Sequence, residues 1–113
     1  MSEYEAGRDT DALVAERLHN RPHGFYHWDG EVVPGALPYS TEIAAAWTLV
    51  EAVREWWSVK VAAGKKAWDH TPLYECAFVQ YADEDNPSRN VSHAMADTAA
   101  LAIVRAFLVA TEP

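Results

Sequence analysis

The run TAALAIVRAFLVAT, residues 98–111, constrains this chain more than any other stretch. Asp97 before it is a natural N-cap, and the run predicts a helix that is apolar on nearly every side, with Arg105 as its one charge. A helix of that kind is covered on more than one face. At about 25 cal/mol per Å2 of apolar area, leaving two of its turns in water would forgo several kcal/mol. Two coverings stay open: a sheet plus a neighbouring helix, or a sheet plus another copy of the chain. The second makes a homo-oligomer an expectation.

The rest of the composition bounds the partners. The 113 residues, half of them hydrophobic, describe a single domain spanning 1–113. Nine basic against seventeen acidic residues give a formal charge of −8, which repels phosphate backbones and excludes general nucleic-acid binding. One cysteine, Cys76, excludes a disulfide framework and a multi-thiolate zinc site, and a reducing cytoplasm is expected. The acidic start, expected to be flexible over 1–8, lacks the apolar core of a signal peptide. No apolar run approaches the roughly eighteen residues of a membrane span, so no membrane partner is expected.

Periodicity supplies the elements. Segment 9–19 places Leu13, Val14, Arg17 and Leu18 on one face of a short amphipathic helix that must dock on something. Asp29-Gly30 between aromatic and apolar runs predicts a β-hairpin over 25–33, and Pro34, Gly35 and Pro38 then mark a loop. A second helix opens at Ser40 and runs to about Glu55, with Ile43, Ala46, Trp47, Val50 and Val53 toward the core. Trp57, Val59 and Val61 alternate with Ser58 and Lys60, and Tyr74 to Tyr81 is β-branched and aromatic, so two antiparallel strands follow. The polar stretch 82–93 contains Asn86-Pro87 and reads as an exposed loop. The fold expected is α+β: a small antiparallel or mixed sheet layered between helices, an α-β-α sandwich in one domain.

Familiar catalytic signatures are missing: no glycine-rich phosphate loop, no GxSxG elbow, no histidine-glutamate zinc motif. No enzyme and no cofactor are therefore expected. His19, His23 and His27 recur every fourth residue, but Pro22 and Gly24 break the helix that would align them for a metal. Cys76 sits in a strand between Tyr74 and Phe78, the setting of an inert packing thiol. Asp83, Glu84 and Asp85 resemble a calcium loop, yet Pro87 interrupts it and Ala94 replaces the closing glutamate. What remains is Trp47, Trp56, Trp57, Trp68 and Tyr74 with Arg54, Lys60, Lys65 and Lys66 in one third of the chain. Rings and cations together clamp planar anions by stacking and charge-assisted hydrogen bonds. The candidate ligand set is Arg54, Trp56, Lys60, Lys65 and Trp68, with Arg89 closing the site from the 82–93 loop. The structural alternative has Trp47 filling the core, Trp57 filling the sheet face and the lysines keeping a strand edge soluble.

Three stretches carry a family resemblance: Asp11 to Glu16, DALVAE; Tyr39 to Trp47, YSTEIAAAW; and Ala96 to Ile103, ADTAALAI. In that order, over about 9–110, the chain resembles the phage ABA-sandwich domain family. It departs from the family at Glu55-Trp56-Trp57, where members often carry a glycine, and over 82–92. The resemblance implies an α-β-α layered domain encoded by bacteriophages or prophages, with no established activity. Two functions follow as expectations. One is a non-catalytic phage accessory protein in the host cytoplasm that binds a small nucleotide-like anion, such as a host immune signal, between protomers. The other is a structural accessory factor that engages a host or phage protein through its last helix and acidic surface.

Overall fold

A computed structural model describes residues 4–19 and 37–112. The hairpin expected over 25–33 lies outside the described residues, as do His23 and His27 and therefore the three-histidine spacing. The described chain runs α1 (Arg8–His19), α2 (Ile43–Val53), β1 (Trp57–Lys65), β2 (Pro72–Gln80), β3 (Arg89–Ala96) and α3 (Ala99–Ala110).

Helix α3 is the centre of the molecule, as its composition requires. Ala100 to Val104 and Ala106 to Leu108 are all buried. On one side the ring of Phe107 lies 6.4 Å from that of Phe78 in β2, and Ser92 Oγ of β3 donates to the Ala106 carbonyl at 2.7 Å. On another side α1 and α2 pack against it and contribute Val14, Leu18, Leu49 and Val53 to the same core. The covering thus comes from within one chain, and α3 gives no reason to expect a second copy. The helix begins one residue later than Asp97 suggests: Thr98 is the N-cap and accepts from the Leu101 N–H at 3.2 Å. At the other end Arg17 Nη1 donates to the Leu108 carbonyl at 2.7 Å, meeting one of the carbonyls a helix terminus leaves unpaired.

The class is α+β and the sheet is antiparallel throughout, in the order β1-β2-β3. Register fixes the two faces. Val59, Phe78 and Ser92 form one row across the strands and Val61, Cys76 and Ala94 the next, and this face meets α3. The opposite face carries Lys60, Ala77 and His93 in one row and Ala62, Glu75 and Met95 in the next. The described helices gather on the first face, where α3 packs on the strands and α1 and α2 pack on α3.

Two boundaries differ from the sequence expectation. Only 81–88 is a loop; residues 89–93, expected to extend it, begin β3. Inward positions Ser92, Ala94 and Ala96 are small and mildly polar, so the strand shows little hydrophobic alternation, and pairing with β2 decides its conformation. Helix α2 starts at Ile43, not Ser40, with Glu42 as N-cap. Ser40 is instead buried, donating its N–H to Asp11 Oδ1 at 2.8 Å and accepting from the Gly7 N–H at 3.0 Å, which ties the entry of α2 to the start of α1. The inward face of α2 is rotated from the expected one. Ala45, Ala46, Leu49, Val50 and Val53 are buried, while Ile43 and Trp47 are more than half exposed.

Candidate ligand-binding cleft

The β1–β2 turn is held by its own hydrogen bonds. Lys66 N–H donates to the Thr71 carbonyl and His70 N–H to the Lys66 carbonyl, each at 2.9 Å. His70 adopts φ 61°, the left-handed conformation that lets the chain reverse. Asp69 Oδ1 accepts from the Thr71 N–H and hydroxyl, and these bonds hold its carboxyl below the ordinary carboxylate range. The turn presents Trp68 as a projection, 78% exposed.

Beneath that turn lies a cleft of about 410 Å3, within the size range of small-molecule sites. Lys66, Trp68 and Leu73 form one wall, Met95, Ala96 and Asp97 a second, and Leu101 and Arg105 of α3 the floor, with Glu5 at the side. Arg105 is the one charge in α3, and its partners explain it. Nε donates to the Tyr4 carbonyl at 2.7 Å, Nη1 donates to the Met95 carbonyl at 2.8 Å, and Nη2 stands 4.0 Å from Glu5 Oε2. The guanidinium thereby fastens the segment before α1 to the end of β3, and Glu5, within the lead-in expected to be flexible, becomes part of the lining. Tyr4 adds a hydroxyl donation to Glu112 at 3.0 Å. The cleft combines an aromatic plane, two cations and two carboxylates, next to the N-terminus of α3, where unpaired N–H groups favour negative charge.

The strand register divides the six residues singled out from sequence. Trp57 pairs with Gln80 and Lys65 with Pro72, so Trp56 and Lys65 sit at opposite ends of a strand roughly 25 Å long at about 3.3 Å per residue. At the Trp57 end, Arg54 follows α2 and pairs with Glu51 at 3.0 Å; Trp56 meets Trp57 edge-on with centroids 6.3 Å apart. Arg89 Nε donates to Gln80 Oε1 at 2.9 Å, and the Tyr81 hydroxyl donates to the Arg54 carbonyl. Lys60 stands alone at mid-strand on the face away from the helices. Lys65 and Trp68 lie at the far end, and of the six only Trp68 lines the cleft. Sequence reasoning passed over Glu5, Leu73, Met95, Asp97 and Arg105. A lone arginine in an otherwise apolar helix was the available signal, because such a charge needs partners from other elements.

No family model, no curated protein and no solved structure matches this chain.

Two other sequence readings have structural counterparts. Cys76 is fully buried, and burial pushes its thiol up to about 12, the property of a packing group and not of a nucleophile. Asp83 Oδ1 accepts from the Asp85 and Asn86 N–H groups at 2.8 and 2.7 Å, a local turn that holds its carboxyl below the usual range. Among the described residues no group of three or more His, Cys, Asp or Glu side chains is placed to hold a metal, and no helix is long and apolar enough to cross a membrane.

Proposed function

We propose that this protein is a non-catalytic accessory protein of bacteriophage or prophage origin that binds a small nucleotide-like ligand in the cleft between the β1–β2 turn and the start of α3. The observation that carries the reading is the juxtaposition of the exposed Trp68 ring with Lys66 and Arg105 over a concavity of small-molecule size. A nucleobase stacks on the indole, a phosphate takes the Lys66 ammonium and the α3 N-terminus, and the amino groups of the base face the Asp97 and Glu5 carboxylates. The mixed charge of the lining favours a ligand with both an anionic group and hydrogen-bond donors over a simple anion. The phage assignment rests on the stretches at 11–16, 39–47 and 96–103, and a host-cell cytoplasmic setting with an immune nucleotide as ligand follows from it.

The test is thermal denaturation of the purified protein against nucleotides and cyclic nucleotides. A ligand at a hundred times its dissociation constant adds about 2.7 kcal/mol. Lys66→Glu and Trp68→Ala abolish the rise in melting temperature under this reading, whereas Arg54→Glu and Arg89→Glu leave it intact. A second reading, docking of a host or phage protein, cannot use α3, which is buried. It gains support from Ile43 and Trp47, one turn apart on α2 and 53% and 51% exposed. No thermal shift across the panel, with loss of one specific partner on Trp47→Ser, would favour it instead.

A further inference from the structure

The two edges of the sheet are not equivalent. At the β3 edge the register slips between Phe78 and Val79, leaving a bulge at Val91, and Arg105 Nη1 takes up the Met95 carbonyl. Bulges and side chains laid over backbone groups are the ordinary means of blunting an edge. The β1 edge has neither among the described residues, and the charges that guard it are Lys60 and Lys65. Its nine residues run in unbroken register with β2 and contain no proline, and residues 60–65 are exposed, Val61 among them at 40%. An edge of that length offers a row of backbone N–H and C=O groups to another strand.

We propose that β1 pairs antiparallel with β1 of a second copy about a two-fold axis at Val61, joining two three-stranded sheets into one of six strands. The sequence of β1 is complementary to itself in this register. Val61 faces Val61, Val59 faces Ala63, Ser58 faces Gly64 and Lys60 faces Ala62 of the second copy. Ala62 is the cross-strand neighbour of Glu75 on the face away from the helices. Lys60 of one copy therefore looks across a methyl group at Glu75 of the other, two strand spacings or about 10 Å away at the backbone, which the two extended side chains span. Symmetry forms this ion pair twice. Within its own chain Lys60 faces Ala77 and makes no ion pair among the described residues, while Glu75 Oε2 stands 3.5 Å from His93 Nε2. Moving the axis to Lys60 would set that lysine against its own copy. A register offset by one residue would place the two helical layers on opposite faces of the joined sheet.

Sedimentation of the full chain over a range of concentrations tests the proposal, with Lys60→Glu, Glu75→Lys and the double exchange. Wild type associates to a dimer, each single reversal weakens it about ten-fold or more by setting like charges together at both contacts, and the double exchange restores it. Far-UV circular dichroism verifies that the variants fold. Amide hydrogen exchange on the wild type gives a second reading that needs no variant: amides of β1 slow as concentration rises, and those of β3 do not. A wild type that stays monomeric at hundreds of micromolar, association that survives either single reversal, a double variant that stays monomeric, or unchanged exchange in β1 on dimerisation overturns the proposal.

Discussion

Replacing Phe107 with alanine measures how much of the fold depends on α3 being enclosed. The Phe107 side chain has no exposed surface, and its ring packs 6.4 Å from Phe78, at the junction of α3 with the sheet. Truncating a fully buried phenylalanine costs roughly 3–5 kcal/mol, from lost transfer energy plus the cavity left behind. Domains of this size are stable by about 5–15 kcal/mol, so this one change removes a large share. Val109, two residues further along the same helix, is 40% exposed. Val109→Ala loses little burial and gains helix propensity, so its effect stays within about 0.5 kcal/mol. Urea denaturation reads both: with a slope of about 2 kcal/mol per molar, Phe107→Ala lowers the midpoint by about 2 M while Val109→Ala leaves it nearly in place. A loss below about 1 kcal/mol for Phe107→Ala, or equal losses for the two, would refute the enclosure of α3 by the sheet.

Three further outcomes follow from particular contacts. Asp11→Ala leaves the buried Ser40 N–H without its acceptor and costs about 1–3 kcal/mol, whereas Asp11→Asn keeps an oxygen there and costs less; equal losses in chemical denaturation would contradict that bond. Alkaline stability falls with a defined sign. Burial raises the Cys76 thiol from 9.0 to about 12, and burial with the neighbouring Asp11 charge raises the Tyr39 hydroxyl from 10.0 to about 12. The unfolded chain therefore binds fewer protons above pH 9, and stability drops as pH climbs toward 12, by about 1.4 kcal/mol per unit for Cys76 alone; Cys76→Ala delays the onset in pH-jump unfolding curves. The same burial makes Cys76 unreactive toward an aromatic disulfide reagent at pH 8 in the native protein and fully reactive in denaturant, and rapid native labelling would show that the β2 thiol is open to solvent.

The parts of the fold that rest on strong periodicity were legible in the sequence. The apolar run at 98–111 announced a central helix, and the alternation from Trp57 to Val61 announced β1. What was hidden depends on pairing between distant segments. Strand β3 turns small and polar side chains inward, and it is a strand because β2 lies beside it. Ser40 has the chemistry of a helix cap, yet the Asp11 carboxylate and the Gly7 N–H claim it for a tertiary contact. Trp47 has core-like spacing, but the short side chains Ala45 and Ala46 allow α2 to approach α3 through a neighbouring stripe, which leaves the indole outside. The candidate site suffered most, because closeness in sequence between Arg54 and Lys65 becomes opposite ends of an extended strand. The cleft draws on residues 5, 66, 73, 97 and 105, which only the folded chain brings together.

Amide and indole NMR spectra recorded during titration with a panel of nucleotides bear most directly on the account. Binding at the cleft moves the Trp68 indole resonance together with the amides of Lys66 and of 97–101, and leaves Arg54, Trp56 and Arg89 unmoved. Saturating shifts gathered around Arg54, Trp56 and Arg89, or spectra unchanged by every nucleotide at millimolar concentration, would contradict it.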